Sequence, residues 1–290
     1  MKKIYVTGSI NTDFVINAPY MPVGGETLTG NGFFTARGGK GANQAVAASR
    51  LGGEVKMCAC VGDDIFGSET LKAFQEEGID VSHIRTVQGV ATGTAVIVVT
   101  NGENRIILDK GANGRLTEKD IDEFLVDAKE GDIYLTQLEN PIEVIGYGLK
   151  KAKEKGMFVV LNPAPASVEI KPYLQYCDLI TPNETELEIL GGKEDILKNT
   201  QAELIVTLGS KGYAICDKKG GRTYPCMRIT AVDTTAAGDT LCGGLCTKLA
   251  QGESLEQAVA FGSKAATIAC TRKGAQPSIP TKKEVEEYKR

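Results

Sequence analysis

Residues 132–162 read DIYLTQLENPIEVIGYGLKKAKEKGMFVVLN and contain a complete strand–helix–strand pattern. Two short apolar runs, 132–137 and 157–162, have the length of buried strands, and residues 143–156 between them have a helical pattern. Short buried strands separated by a helix of this length form parallel pairs. The stretch therefore predicts an α/β fold built on a parallel sheet.

The same alternation continues on both sides of this stretch. The chain has 290 residues, of which 42% are hydrophobic, enough for one large α/β core with a small addition. Further strands are predicted at 2–7, 55–62, 178–182 and 203–209, and helical patterns at 42–51, 68–78, 118–129 and 240–250.

Two regions, 14–36 and 92–109, break the alternation because they contain strand patterns and no helix. Asn and Gly separate the strand patterns, and the sequence NGEN at 101–104 is a favourable hairpin turn. The pattern alone leaves two interpretations open. The regions pair into a small extra sheet, or they form two ordinary surface hairpins.

Composition excludes several classes of protein. A net charge of −4 and a pI of about 5.4 do not favour general nucleic-acid binding, which depends on clustered Lys and Arg. No apolar run reaches the roughly 18 residues of a membrane span, and the N-terminus lacks a secretory signal. Eight cysteines without CxxC spacing indicate reduced thiols in the cytoplasm. A single histidine excludes His-rich zinc sites and most His-based catalytic triads.

The strongest local motif is DTTAAGDT at 233–240, followed by a helical pattern. The small residues Ala236, Ala237 and Gly238 leave free backbone N–H groups at a helix start, where anions bind. Asp239 in the first turn would lie beside such an anion and could act as a base. A well-capped helix would have the same pattern, so this fragment alone leaves both interpretations open.

Four other motifs have both a structural and a functional interpretation. Residues 38–43, GGKGAN, allow close approach of a ligand to the backbone or form only a turn before a helix. Residues 11–13, NTD, follow the first strand, where they bind a sugar or form an Asx turn. Residues 183–186, NETE, form a capping box or lie near Mg²⁺ and phosphates. Residues 207–212, TLGSKG, border a nucleotide or form a hairpin.

The motifs in this order resemble the PfkB-type carbohydrate kinase family over nearly the full chain. Together with GGETLTGN at 24–31 and TRKGAQPSIP at 271–280, they are most similar to the family members that phosphorylate ribose. The resemblance implies a three-layer α/β sandwich around a mostly parallel sheet, with a small β-sheet lid. It implies a single kinase domain over 1–290, with lid segments inserted at approximately 14–36 and 92–109, and a homodimer formed through the lid.

The resemblance also implies a reaction: ATP-dependent phosphorylation of D-ribose at O5, giving D-ribose 5-phosphate and ADP, with Mg²⁺ and a monovalent activator, K⁺. Asp239 would be the base, beside an anion hole formed with Ala236, Ala237 and Gly238. The sugar would contact Asn11, Asp13, Gly39, Lys40, Gly41, Ala42, Asn43, Glu139 and Asp239. ATP would contact Asn183, Thr207, Leu208, Gly209, Ser210, Lys211, Gly212, Gly238 and Ser263. Glu186 would hold Mg²⁺ through water, and K⁺ would lie among Asp233, Thr235, Ala269, Arg272, Gly274 and Ser278.

The chain departs from the family pattern at the nucleotide edge. The interval from Asn183 to Thr207 is shorter by about one helix, and Ser263 stands where relatives often carry Asn or His. A deoxyribose kinase or a nucleoside kinase of the same family is the main alternative. A non-catalytic sugar sensor would have lost the base or the anion hole, and both are present. A dinucleotide-binding dehydrogenase would need a glycine fingerprint after the first strand, which GSINTD lacks.

Overall fold

The computed structural model describes residues 1–101 and 103–289. Its strands are β1 (Ile4–Thr7), β2 (Asn11–Asn17), β3 (Asn31–Gly38), β4 (Val55–Gly62), β5 (Asp80–Val87), β6 (Gly93–Thr100), β7 (Glu103–Asp109), β8 (Ile133–Thr136), β9 (Phe158–Leu161), β10 (Leu179–Ile180), β11 (Glu203–Thr207), β12 (Tyr213–Asp217) and β13 (Gly220–Tyr224). Its α-helices are α1 (Lys40–Arg50), α2 (Ile65–Glu76), α3 (Glu118–Phe124), α4 (Ile142–Glu154), α5 (Glu184–Ile189), α6 (Gly192–Asn199), α7 (Ala237–Ala250), α8 (Leu255–Ala269) and α9 (Lys282–Glu287). None of the described helices is long and apolar enough to cross a bilayer.

Nine strands form one sheet in the order β13-β12-β11-β10-β9-β8-β1-β4-β5. The strands from β11 to β5 are parallel, and β12 and β13 add an antiparallel hairpin at one edge. This confirms the predicted mostly parallel α/β sheet.

Helices cover both faces of this sheet. In β1, Ile4 and Val6 pack into one apolar core with residues of α1, α7 and α8, whereas Tyr5 packs into a second core with residues of α3 and α4. Because both faces are buried, the central strands β1, β8 and β9 are almost entirely apolar and do not alternate with polar residues.

The other four strands form a small sheet in the order β3-β2-β6-β7. Strand β2 pairs with β6 in parallel, and the other two pairs are antiparallel. The four strands come from the two regions without helical pattern, and Gly102 of the expected Asn-Gly turn lies outside the described residues. The chain enters β2 three residues after β1, so the small sheet adjoins the carboxyl end of the main sheet.

Three strands lack a clear signal in the sequence. Strand β5 pairs along only one side, at an edge of the main sheet, and carries the polar sequence SHIRT at 82–86. The hairpin of β12 and β13 also lies at an edge, and four of the five residues of β13 are exposed. Edge strands need fewer apolar residues than buried ones, so the apolar-run criterion does not detect them.

Candidate functional site

The carboxyl ends of β1, β8, β9 and β10 meet the N-termini of α1 and α7 at one edge of the main sheet. In open α/β sheets, ligands bind in the crevice beyond these strand ends. A cleft of about 250 Å³ opens there. Its lining comprises Lys40, Asn162, Ala164, Thr181, Asn183, Glu186, Thr207, Thr234, Ala236, Ala237, Gly238, Asp239 and Cys242.

The N-terminus of α7 faces this cleft without a side-chain cap. Ala236 precedes the helix in the left-handed region, with φ 59° and ψ 12°. This conformation is unusual for a residue other than Gly, Asn or Asp, and such residues cluster at functional sites. A Cβ added to Gly238 would meet no atom within 4 Å, so the first turn borders open space. Its N–H groups and the positive end of the helix dipole are available to an anion.

Asp239 lies in this first turn and is only 7% exposed. Both of its carboxylate oxygens accept hydrogen bonds from amide side chains of α1. Asn43 Nδ2 donates to Oδ2 at 3.0 Å, and Gln44 Nε2 donates to Oδ1 at 2.9 Å. These two bonds fix the orientation of the carboxylate at the edge of the cleft. The Oδ1 atom of Asn43 is buried and has no hydrogen-bond partner among the described residues.

A buried chain of amides supports Asp239 from below. Gln44 Nε2 also donates to Asn162 Oδ1 at 3.0 Å, and Gln44 Oε1 accepts from Gln137 Nε2 at 2.6 Å. Asn162 Nδ2 in turn donates to the carbonyl oxygen of Thr181 at 3.0 Å. This amide network, Gln44, Gln137, Asn162 and Thr181, joins α1 to the ends of three strands.

Three carboxylates surround Lys40 at the first position of α1. Burial alone would lower the pKa of Lys40, but Asp239, Glu139 and Glu186 together raise it. Burial raises the pKa of Glu186, partly offset by the N–H of Asn183 and by Lys40. Lys40 therefore remains a cation in a mostly buried place, beside the cleft and the α7 N-terminus.

The glycines of GGKGAN allow α1 to pack tightly against the end of β1. Gly39 has φ 89°, and an added Cβ would lie 2.8 Å from the carbonyl oxygen of Ser9. A Cβ on Gly41 would lie 2.5 Å from the Ser9 nitrogen. Ala42 is fully buried in the core, so its side chain is not available to a ligand. The motif therefore forms a tight turn before α1, and its residue Lys40 lines the cleft. Ligand binding by this turn stays a prediction.

Glu139 supplies the helix cap that Gly39 cannot provide. Its Oε2 accepts from the Lys40 N–H at 3.0 Å and from the hydroxyl of Ser9. A carboxylate at this place also stabilises the helix dipole. Glu139 thus holds the Gly-rich turn in place, whatever else it contacts.

Asn11 and Asp13 lie at the start of β2, so the Asx-turn interpretation of this segment is wrong. Asn113 Nδ2 donates to Asn11 Oδ1 at 2.7 Å, which holds the Asn11 side chain in place. The Asp13 carboxylate lies against Gly38, where an added Cβ would be 2.3 Å from Oδ2. Burial, and then the charge of Glu139, raise the pKa of Asp13 to about 7.

Asn183 and Glu186 form the capping box of α5. Glu186 N donates to Asn183 Oδ1 at 2.8 Å, and Asn183 N donates to Glu186 Oε2 at 2.9 Å. Both residues also line the cleft. The capping interpretation is therefore correct, and it leaves both side chains at the candidate site.

A second groove, of about 570 Å³, continues from the cleft along the first turn of α7. Thr207, Gly209, Ser210 and Gly212 line it, because the turn after β11 folds back into the β12 strand. Ser263 of α8 lines the opposite side, whereas Leu208 and Lys211 are not among its lining residues. The remaining lining residues are Cys226, Met227, Arg228, Ile229, Ala231, Thr234, Ala237, Gly238, Leu241, Ala266, Thr267 and Cys270.

Asp233 ties the turn before α7 to the loop after α8. Its Oδ1 accepts from the Thr235 N–H at 2.9 Å, and its Oδ2 accepts from the Gly274 N–H at 2.9 Å. These hydrogen bonds outweigh burial and lower the pKa of Asp233. The Asp233 N–H in turn donates to the Cys270 carbonyl, one residue after Ala269, and Arg272 N donates to Ala269 O. Ser278 is buried and donates to the Ala275 carbonyl at 2.7 Å.

Comparison with known proteins gives consistent matches over the whole chain. The family model described as "pfkB family carbohydrate kinase" matches residues 1–282. The Haemophilus influenzae protein named ribokinase is 43% identical, covering 99% of this chain and 98% of that protein. A Salmonella typhimurium protein named deoxyribokinase is 37% identical, covering 98% of each chain. The structure of Arabidopsis thaliana ribokinase complexed with ribose and ATP has a TM-score of 0.86 and 29% identity, covering 99% and 98% of the chains.

Proposed function

This chain belongs to the pfkB family of carbohydrate kinases, and on that premise we propose that it transfers the γ-phosphoryl group of ATP to O5 of D-ribose. The products are D-ribose 5-phosphate and ADP. The observation that carries this proposal is the position of Asp239. A buried carboxylate, fixed by two amides, lies in the uncapped first turn of α7, where the cleft and the larger groove meet.

Asp239 acts as the base in this reaction. A sugar hydroxyl is a weak nucleophile at neutral pH, and a positioned base removes its proton as the bond to phosphorus forms. The hydrogen bonds from Asn43 and Gln44 hold the carboxylate in one orientation. Phosphoryl transfer depends mostly on such positioning and on charge stabilisation.

Three features of the chain stabilise the negative charge of the transferred group: the N–H groups of α7, its helix dipole and Lys40. The N–H groups of the first α7 turn and the helix dipole favour an anion there. Lys40 keeps its positive charge close to this place because its neighbouring carboxylates raise its pKa. The larger groove takes the rest of the nucleotide, with Gly209, Gly212 and Ser263 at its sides.

Glu186 and Asn183 suit Mg²⁺ held through water. Hard cations prefer oxygen ligands and keep several waters, and both side chains offer oxygens at the wall of the cleft. A bound Mg²⁺ would neutralise charge on the phosphates.

A monovalent cation, K⁺, fits the oxygen-rich junction around Asp233. The backbone hydrogen bonds bring the segments 233–235, 269–274 and 278 together, and their carbonyl, carboxylate and hydroxyl oxygens are the kind of donor that K⁺ prefers. K⁺ would order the turn that presents the α7 N-terminus. We expect higher turnover in potassium than in sodium, and equal rates in the two would contradict this site.

The choice of D-ribose over 2-deoxyribose or a nucleoside rests on the relatives named ribokinase. The test is turnover on a panel of pentoses, 2-deoxyribose and nucleosides with ATP and Mg²⁺, each measured with and without K⁺. We expect the highest kcat/KM with D-ribose. A tenfold higher kcat/KM with another substrate, about 1.4 kcal/mol in transition-state stabilisation, would overturn the ribose assignment. Loss of all sugar-dependent ADP release would overturn the kinase assignment.

The small sheet carries exposed apolar residues that fit a homodimer contact. Phe33 and Phe34 of β3 and three consecutive residues of β7, Ile106, Ile107 and Leu108, are exposed. Exposed apolar patches of this kind mark interaction surfaces. A second copy of the chain is the partner that the resemblance favours. All eight cysteines are unpaired, which suits a reducing compartment such as the cytoplasm, where ATP is abundant.

A further inference from the structure

The chain has two part-exposed cysteines, and both line the larger groove. Cys58, Cys60, Cys177, Cys216, Cys242 and Cys246 are buried, whereas Cys226 and Cys270 are only partly buried. The groove borders both Cys226 and Cys270, although they are distant in sequence. The accessible thiols therefore coincide with the site that we propose for the nucleotide.

The segment 225–236 is held at two points, and one of the two cysteines lies at each. Cys226 belongs to the segment, whereas Cys270 contacts it from the end of α8. Near its start, the Cys226 thiol lies 3.3 Å from the carbonyl oxygen of Ser210, against the turn after β11. Near its end, the N–H of Val232 donates to the Cys270 carbonyl at 2.8 Å. Between these points, Met227, Arg228, Ile229 and Ala231 form a wall of the groove. A group attached to either sulfur therefore occupies the groove or displaces this wall.

We propose that the nucleotide groove is also a covalent modification site, at which α,β-unsaturated carbonyl compounds add to Cys226 and Cys270 and exclude the nucleotide. The thiolate sulfur forms a bond to the β-carbon of the electrophile, and the π electron pair of its double bond moves to the α-carbon. That carbon takes a proton from water, replacing the proton that the thiol released. The addition needs no oxidant or reductant. The exclusion of nucleotide rests on the proposed function. The prediction of which cysteines are modified depends only on their exposure.

The test uses the full chain and N-ethylmaleimide as the probe, with the modified cysteines identified by peptide mass spectrometry over time. We expect Cys226 and Cys270 to react at least about tenfold faster than the six buried cysteines, since attack requires access to the sulfur. The unfolded chain, in denaturant, is the control and should react at all eight. Equal rates across all cysteines of the folded chain would overturn the inference.

Protection by ADP tests the second half of the proposal. ADP supplied at 100 times the Kd measured by calorimetry leaves about 1% of the sites free, so both labelling rates should fall by up to about 100-fold. Ribose alone should leave them unchanged. Measured ADP binding without protection would overturn the inference, whereas ADP that does not bind would overturn the nucleotide assignment instead.

Cysteine variants connect labelling to inactivation. Maleimide should abolish the kinase activity of the wild type, and the double variant Cys226→Ser, Cys270→Ser should retain its own starting activity under the same treatment. Each single variant should still be labelled at the remaining thiol. Inactivation of the double variant at the wild-type rate would show that another cysteine is responsible and would overturn the proposal.

Discussion

The buried polar residues beneath the cleft, which we call the floor of the site, contrast with the small sheet beside them. The floor buries polar groups, whereas the small sheet exposes apolar ones. In the floor, polar side chains of α1, α7 and three strand ends are buried and bond to one another, as the contacts of Asp239, Gln44 and Asn162 show. In the small sheet, β7 is exposed along its whole length, and its apolar residues Ile106 and Ile107 have no cover. The residues of the floor come from one chain and bond to one another, whereas β7 leaves its apolar residues exposed, as the proposed homodimer contact requires.

The contrast predicts that substitutions in the floor reduce turnover more than substitutions in the small sheet. Replacing Asp239 by Asn keeps the size of the side chain but removes the base. We expect kcat to fall by about 100-fold or more, since loss of a general base costs about 10²–10⁴. Thermal unfolding and ATP binding, measured on the same preparation, should show a folded chain that still binds nucleotide. A folded variant with more than about a tenth of the wild-type kcat would show that another group accepts the proton.

The second prediction concerns Gln44, which is fully buried and donates a hydrogen bond to Asp239. Gln44→Leu removes a hydrogen bond to a carboxylate, and such bonds contribute about 1.5–3 kcal/mol. We expect kcat to fall roughly 10-fold to 100-fold, with the KM for ATP within about twofold of the wild type, because a factor of ten corresponds to about 1.4 kcal/mol.

Gln75→Leu on the exposed face of α2 is the matched control and should change neither constant. A Gln44 variant that loses stability but keeps its kcat would reduce the amide network to a structural role. A variant that changes KM alone would contradict the positioning of Asp239 by Gln44.

The two regions also differ in how well the sequence predicted them. The strand at 55–62 and the helix whose first turn contains Asp239 followed from local patterns, because periodicity and small residues act over a few positions. The amide network was missed, since Gln44, Gln137 and Asn162 come from separate elements and only the folded sheet brings them together. A glutamine in a helical pattern usually faces solvent. Gly8 packs against this network, since an added Cβ would lie 2.2 Å from Gln137 Oε1, but that contact exists only in the folded chain.

The motifs with two interpretations show a further limit of sequence analysis. Asn183 and Glu186 cap α5 and line the cleft as well, so the structural and the functional interpretation do not exclude each other. At residues 11–13 the Asx-turn interpretation is wrong, because these residues form a strand and a strand needs different backbone angles from an Asx turn. The strand pairs with β3 and β6, whose residues lie 20 or more positions away, so the local sequence could not reveal it. The sugar-binding interpretation stays a prediction.

The third prediction concerns Asp13, at the junction of the two regions. Its pKa of about 7 in the folded chain lies above the ordinary 3.8, so between these values the folded chain keeps a proton that the unfolded chain has lost. Stability therefore falls as pH rises through this window. At pH 8, Asp13→Asn should raise the free energy of unfolding by up to about 4 kcal/mol, at about 1.4 kcal/mol per pKa unit, and with it the unfolding midpoint.

Ribose binding should follow the same titration. The ionised carboxylate accepts hydrogen bonds from hydroxyls, so the KM for ribose of the wild type should fall severalfold as pH rises through 7. The Asn variant should lose this dependence. Asp127→Asn, at an exposed position, is the control and should leave both profiles unchanged. An Asp13 variant with an unaltered midpoint and an unaltered KM profile would show that Asp13 does not titrate in this range.

The smallest effect on turnover is expected at the exposed strand β7 of the small sheet. Ile107 and Val126 are both 68% exposed, but Ile107 lies in the apolar stretch of β7 and Val126 follows α3 on the main body. If two copies join through the small sheet, Ile107→Lys places a charge in the contact, and a desolvated unpaired charge opposes association.

Sedimentation should then show a dimer for the wild type and for Val126→Lys, and a monomer for Ile107→Lys. Because the residues of the floor come from one chain, the kcat of the monomer at saturating substrate should stay within about twofold, well under the tenfold that about 1.4 kcal/mol would produce. A dimeric Ile107→Lys variant would contradict the contact, and a monomer without activity would show that the floor depends on the partner copy.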